Sequence, residues 1–223
     1  MNLFQEILVL LKKEILLEWR RKYAFNGILL YIVSTIFVCY LSFNLQKGQL
    51  NPLTWNALFW IILLFTATNA VAKSFMQESE GRQLFYYTLV SPEAIILSKI
   101  IYNSLLMWLM SVLGYAIYSL VLNNPVQDKG LFFLNILLGG LGFASTLSMI
   151  SAIASKANNG GALMAVLGFP VVLPLLLLLI KISKNAIDGL ALSVSYDEIS
   201  TLLAINLIVI AVSYLLFPYL WRS

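Results

Sequence analysis

The chain has 223 residues, of which 61% are hydrophobic and 11% are charged, and its net charge is +4. It contains no histidine and a single cysteine, Cys39, which excludes a His-ligated metal, a Ser-His catalytic triad and an internal disulfide. We therefore expect no catalytic residue and no metal site, and we attribute the small basic excess to membrane topology rather than to nucleic acid.

Six windows of the sequence contain no charged residue, and each is 23 to 28 residues long. A helix needs only about 20 apolar residues to cross a bilayer. The pattern predicts an all-α, polytopic membrane protein with six transmembrane helices and an N-terminal interfacial helix, in a single membrane domain over 1–223. The approximate predicted spans are 24–43, 54–72, 98–122, 131–154, 160–180 and 200–220.

The distribution of Lys and Arg predicts the orientation of these spans. The N-terminus, the segment 73–99, Lys156 and Arg222 together hold ten basic residues, whereas the three alternate connections hold four. By the positive-inside rule, we expect both termini to lie in the cytoplasm.

The segment 2–22 is predicted to form an amphipathic helix at the cytoplasmic surface of the membrane. One apolar stripe recurs at helical spacing and consists of Phe4, Leu8, Leu11, Ile15 and Trp19. Glu6 and Glu14 fall largely away from this stripe, and Glu18 is expected to pair with Lys22. The helix is either a topogenic anchor or a lateral helix that docks against the protein and follows its movement.

The segment 74–92 is the predicted cytoplasmic loop between the second and third spans. It has an acidic stretch, then a compact apolar and aromatic run, and then Ser91-Pro92. With Ser91 as N-cap and Pro92 at the first helical position, the third helix should begin there, before the membrane. The apolar run favours either a groove on another protein or the membrane interface.

A row of small residues follows one face of the fourth span. These residues are Gly140, Ala144, Ser148 and Ala152, each four positions after the last. Small side chains let another helix approach closely, so we predict tight packing inside the bundle or between subunits.

The fifth span contains Pro170 and Pro174, one turn apart, and begins with the pair Gly160-Gly161. Each proline removes a backbone hydrogen bond and crowds the preceding turn, which predicts a kink. The four residues are candidate hinge positions, although prolines are also common in membrane helices without a gating role.

These motifs together resemble the coupling region of type-2 ABC exporter permeases. More narrowly, nearly the whole chain resembles the B subunit family of cytochrome c maturation, also called haem exporter protein B. The matching residues are Glu78, Glu80, Gly81, Ser91, Pro92 and Lys99 in the loop, Gly160-Gly161, and Pro170 with Pro174. The sequence departs from the family pattern at Asn158-Asn159, where basic residues usually precede the Gly-Gly pair.

The resemblance implies that the loop couples the membrane domain to an ATPase. The residues expected to do so are Glu78, Glu80, Gly81, Leu84, Phe85, Tyr86, Ser91 and Pro92. The sequence has no Gly-rich P-loop with a Lys-Ser/Thr pair, so ATP is expected on a separate subunit. We expect no cofactor bound by this chain, while haem is handled by the complex.

The implied function is that of the permease subunit of an ATP-binding cassette complex in a bacterial inner membrane. The complex would use ATP hydrolysis for haem delivery, or for release of the haem-loaded chaperone at the outer face. The implied partners are a CcmA-like ATPase, a CcmC-like haem-handling subunit, a small CcmD-like subunit, a CcmE-like haem chaperone, a second copy of this chain, and membrane lipid.

Three other functions are compatible with the sequence alone. The chain could be the permease of another type-2 ABC exporter, for a polysaccharide or a drug, or a membrane scaffold. A secondary transporter is less favoured, because proton coupling usually needs ionisable residues within the spans. The strongest polar groups in the six windows are asparagines: Asn69, Asn103, Asn135 and Asn206.

Overall fold

The structure, a computed structural model, describes residues 2–21, 23–45, 50–71, 74–75, 89–157 and 160–222. Within these ranges the chain forms seven α-helices and one 3-10 turn, and no strand. The α-helices are α1 (Leu3–Arg21), α2 (Tyr23–Leu45), α3 (Pro52–Val71), α4 (Pro92–Val121), α5 (Lys129–Ala154), α6 (Gly160–Ile187) and α7 (Tyr196–Arg222). The last six are long and apolar enough to cross a membrane, which confirms the predicted all-α polytopic class.

Several helices extend beyond the predicted spans. α4 begins at Pro92, and α6 continues to Ile187 before the 3-10 turn Leu192–Ser195. The extension of α6 includes Lys181 and Lys184. A charged residue ends an uncharged window but does not end a helix, because lysine is a good helix former.

Consecutive helices of the bundle run in opposite directions. The end of α4 meets the start of α3, where the Tyr118 hydroxyl donates to the carbonyl of Trp55 at 2.9 Å. The start of α4 meets the end of α5, where Asn103 Nδ2 donates to Ser148 Oγ at 2.8 Å. We call the end of the bundle at which α4 begins and α7 ends the terminal end, and we call the opposite end the far end.

α5 is the central helix and packs against α3, α4, α6 and α7. Its glycines admit large neighbours: a Cβ added at Gly139 would lie 2.8 Å from the Trp60 ring and 2.9 Å from Leu179, and one at Gly140 would lie 2.7 Å from Trp108. The predicted row of small residues is buried within the bundle, at Gly140, Ala144, Ser148 and Ala152.

Neutral hydrogen bonds join the helices at the far end. Trp60 Nε1 and Asn135 Nδ2 both donate to Ser183 Oγ at 2.7 Å, and Asn135 Nδ2 also donates to the Leu179 carbonyl at 2.8 Å. Buried polar groups in an apolar medium need internal partners of this kind. These bonds therefore fix α3, α5 and α6 to one another.

α6 is continuous through Pro170 and Pro174, and both prolines are exposed. The helix is mostly exposed before Pro174, whereas its last three turns carry the buried residues that bond to α3 and α5. The far-end bonds thus hold only the second half of α6. A hinge at the prolines or at Gly160-Gly161 stays a prediction.

The close packing at Gly139 predicts a loss of stability in the variant Gly139→Ala. The added methyl group would overlap Trp60 and Leu179, which should lower the free energy of unfolding by about 1–3 kcal/mol. Thermal unfolding in detergent, followed by tryptophan fluorescence, measures the change. Gly27→Ala is the control, because a Cβ at Gly27 meets nothing within 4 Å; equal melting temperatures for both variants would contradict the packing argument.

Candidate coupling site

α1 docks on the bundle with the face that carries Glu6, Leu10 and Glu14. Phe4 and Trp19 of the apolar stripe are 70% and 75% exposed, whereas Leu10 is buried and Glu6 and Glu14 are partly covered. The face toward the protein therefore carries carboxylates, and the face away from it carries the apolar stripe. This division fits a helix at a membrane surface, with its apolar side available to lipid.

Lys99, in the second turn of α4, is buried and only 6% exposed. Its Nζ lies 3.1 Å from Glu14 Oε1 and donates to the carbonyl of Ser74 at 3.0 Å. The same Nζ is 5.6 Å from the centre of the Phe75 ring, and Lys13 Nζ lies 2.9 Å from the same carboxylate oxygen. A buried ammonium group needs such partners, so this one charge joins α1, α4 and the chain just after α3.

The residues that follow α3 are also attached to the other helices at the terminal end. The Phe75 N–H donates to Ser151 Oγ of α5 at 3.3 Å, and the Phe75 ring packs on Phe217 of α7 with centroids 5.5 Å apart. Asn103 Nδ2 of α4 donates to Ser74 Oγ at 3.4 Å. The start of the predicted coupling loop is therefore fixed to three helices.

The other end of that loop is fixed to α1. Ser91 occupies the N-cap position of α4 and Pro92 lies in the first turn, as predicted, but the Ser91 hydroxyl makes no capping bond within α4. Instead, Ser91 Oγ and the Ser91 N–H both donate to Glu6 Oε2, at 2.6 Å and 3.0 Å. Ser91 is thus at the predicted N-cap position, but its hydroxyl donates to Glu6 and does not accept an N–H of the first turn of α4.

The two hydrogen bonds also act on the charge of Glu6. The bond from the Ser91 hydroxyl, followed by that from the Ser91 N–H, holds the pKa of Glu6 below its ordinary value. The carboxylate is therefore ionised at neutral pH and is available as an acceptor.

Lys156 connects the α5–α6 junction to the end of α7. Its Nζ lies 5.6 Å from the centre of the Trp221 ring and 3.5 Å from the Trp221 carbonyl. A cation at a helix C-terminus is favourable, because the helix dipole is negative there. Lys156 is the basic residue nearest to the Gly160-Gly161 pair, and Asn158-Asn159 lie outside the described residues.

Not all predicted site residues fall in the described part of the chain. Ser91 and Pro92 do, whereas the other predicted coupling residues lie outside it: Glu78, Glu80, Gly81, Leu84, Phe85 and Tyr86. Lys22, the expected partner of Glu18, lies outside it as well, and Glu18 Oε1 accepts the N–H of Phe25 at 2.9 Å. The coupling role of these residues stays a prediction.

Two contacts of the site were not predicted from the sequence, Glu6 with Ser91 and Glu14 with Lys99. Lys99 directly precedes an uncharged window, and the sequence identifies it as a loop cation and a residue of the family motif but not as a buried partner of α1. The available signal was the placement of Glu6 and Glu14 away from the apolar stripe of α1. That placement indicates a polar face but does not identify what the face contacts.

The six long apolar helices and the N-terminal amphipathic helix define the class of all-α polytopic membrane proteins and are consistent with a permease. A family model described as CcmB protein matches residues 5–219, and no curated protein and no solved structure gives a significant match. The chain belongs to the CcmB family, whose members are permease subunits rather than enzymes. Membership supports the role of a haem-exporter ABC permease in cytochrome c maturation, within a system that includes an ATPase and other Ccm subunits.

The buried ion pair predicts a large effect for Lys99→Met. This variant leaves the Glu14 carboxylate without its buried partner and should lower the free energy of unfolding by about 3 kcal/mol. That value is at the low end of the range for a broken buried ion pair, because Lys13 remains beside Glu14. Adding Glu14→Gln should restore most of the loss, since it removes the buried carboxylate and the remaining Lys13 side chain is 28% exposed. Thermal unfolding of the single and double variants in detergent measures both effects.

Lys181→Met is the control for this experiment. Lys181 also pairs with a glutamate, at 2.6 Å from Glu198, but its side chain is 64% exposed. Only the lysine of this pair is exposed, since the Glu198 side chain is 12% exposed. Because the Lys181 ammonium group stays in contact with water, the pair contributes less than a fully buried one, and this variant should lose less stability than Lys99→Met. Equal losses in Lys99→Met and Lys181→Met would contradict the assignment of Lys99 as a buried structural cation.

Proposed function

We propose that this chain transmits the movement of a separate ATPase subunit into the membrane through the segment 74–92 and helix α4. The observation that carries the proposal is the attachment of both ends of that segment to α4 and its neighbours. Ser74 contacts Lys99 at one end, and Ser91 begins α4 at the other. A force on the segment would therefore reach the first two turns of α4 directly.

The proposed orientation puts the terminal end of the bundle in the cytoplasm, where ATP is available to the partner. The bias of Lys and Arg toward that end supports it. The membrane would be the inner membrane of a bacterium. The stripe of α1 would then rest on the cytoplasmic leaflet, whose anionic lipids attract the basic residues near its end.

We propose that the chain works as a pair of copies with a CcmA-like ATPase. A CcmC-like haem-handling subunit and a small CcmD-like subunit would complete the assembly. Its output would be haem delivery, or release of a haem-loaded CcmE-like chaperone at the outer face. ATP would bind to the partner, and haem would be handled by the complex rather than held as a cofactor of this chain. The family membership supports these assignments at the level of the Ccm system.

The orientation can be tested with single-cysteine variants in a Cys39→Ser background. A membrane-impermeant thiol reagent added to intact cells should label Asp188→Cys at the far end and should not label Gln5→Cys in α1. After cell lysis, both variants should react. Labelling of Gln5→Cys in intact cells would contradict the proposed orientation.

The coupling function predicts that Glu80→Lys and Phe85→Asp uncouple ATP hydrolysis from cytochrome assembly. A reversed charge or a charge in the apolar run should weaken the contact with the ATPase. A lost contact of about 1.4 kcal/mol lowers the affinity about tenfold, so we expect the yield of c-type cytochrome to fall by about that factor or more. The measurements are haem-stained cytochrome c in cells and ATPase activity of the purified complex, together with the amount of the chain in membranes.

Matched changes at the far end serve as controls. Asp188→Lys reverses an exposed charge, and Leu190→Asp adds a charge at an exposed apolar residue. Both should leave the cytochrome yield unchanged, because the ATPase does not reach that side. Parent-like yields in Glu80→Lys and Phe85→Asp, with normal membrane levels, would refute the coupling role of the segment.

A further inference from the structure

The first turn of α4 lacks the glutamate that would complete its own N-terminal cap. In a capping box, the residue three positions after the N-cap is Glu or Gln, and its side chain accepts the N–H of the N-cap residue. The corresponding residue here is Ala94, which is fully buried. The Ser91 N–H is instead accepted by Glu6, a residue 85 positions earlier in the sequence.

Glu6 is placed near the start of two helices at once. It lies in the first turn of α1, and its Oε2 accepts two hydrogen bonds from Ser91 at the N-cap of α4. The start of each helix carries a partial positive charge, so two such ends repel each other unless an anion lies between them. The Glu6 carboxylate therefore offsets the partial positive charge at the start of both helices and links the two helices.

A second link between the same two helices keeps them in register. Glu14 contacts Lys99 in the second turn of α4, and it lies two turns after Glu6 in α1, which is about 12 Å along the helix. Leu10, between the two glutamates, is buried in an apolar cluster with Ile95 and Ile96 of α4. Two polar links and the apolar contact between them prevent α4 from turning or sliding relative to α1.

We propose that Glu6 is a positioning residue for coupling: it closes the first turn of α4 from outside and joins that turn to α1. This inference rests on the proposed function, in which the segment before Ser91 receives the movement of the ATPase. α4 then moves only together with α1. Loss of the link leaves the segment free to move without carrying both helices, so ATP is hydrolysed with less cytochrome formed per turnover.

The first experiment measures the link itself and does not depend on any partner. Hydrogen exchange is followed by mass spectrometry in the peptide 89–97 of the purified chain. Glu6→Ala should speed exchange of the Ser91 amide roughly tenfold or more, as expected for loss of a hydrogen bond to a charged group. Glu6→Gln, which keeps an acceptor, should have a smaller effect. Unchanged exchange in Glu6→Ala would overturn the proposal.

The second experiment separates a link to α1 from a simple cap. In the complete complex, Glu6→Ala should lower the cytochrome formed per ATP hydrolysed, and Glu6→Gln should restore part of it. Adding Ser91→Asp to Glu6→Ala supplies an N-cap within α4 but no contact with α1. We expect this double variant to protect the amides of Glu93 and Ala94, which an N-cap side chain can accept, but not to regain the coupling ratio. Recovery of the ratio would overturn the linking role.

Glu93→Ala is the matched control, because it removes a carboxylate from the first turn of α4 that makes no hydrogen bond or ion pair with the described residues. It should retain the parent coupling ratio, and a loss equal to that of Glu6→Ala would count against Glu6. Fully active complexes of both Glu80→Lys and Phe85→Asp would refute the proposed function and the coupling role of Glu6 with it. The exchange experiment still decides whether Glu6 holds Ser91.

Discussion

The start of α4 is held by two carboxylates of α1, and the organisation of the terminal end depends on them. Glu6 accepts both polar hydrogens of Ser91, and Glu14 meets the buried ammonium group of Lys99. Electrostatic interactions are stronger where water is scarce, and an unpaired buried charge is costly there. Charged side chains are absent from the six uncharged windows, and those of Glu6, Glu14 and Lys99 make their structural contacts at the terminal end, where α1 packs against α4.

The two ends of the bundle differ in the contacts of their interior, while the far end also carries the Lys181–Glu198 pair, whose lysine is exposed. At the far end, Trp60, Asn135 and Ser183 form neutral hydrogen bonds among three helices, and neutral groups can be buried without a partner ion. At the terminal end, the contacts involve charges, ring faces and the residues that follow α3. A movement imposed on the terminal end would therefore meet a well-fixed region at the opposite side of the bundle.

The number and type of the helices could be predicted because the signal is local. An uncharged window of more than 20 residues specifies a spanning helix whatever surrounds it, and Ser91-Pro92 marked the start of α4 to the residue. The docking of α1 could not be predicted in this way. Its apolar stripe was visible in the sequence, but its polar face contacts residues 85 positions away. For the same reason the local pattern predicts Ser91 as N-cap but cannot predict its bond to Glu6, since a partner from a distant segment leaves no trace in that pattern.

The outward orientation of the apolar stripe of α1 has a consequence for handling the protein outside its native membrane. Phe4 and Trp19 are among the most exposed large side chains, while α1 is attached to the bundle by the Glu6 and Glu14 contacts and by the buried Leu10 between them. Annular lipid therefore shields these attachments from water as well as covering the stripe. Extraction that strips this lipid layer would admit water and salt to the Glu6 and Glu14 contacts, so we expect nanodiscs to preserve the position of α1 better than small micelles.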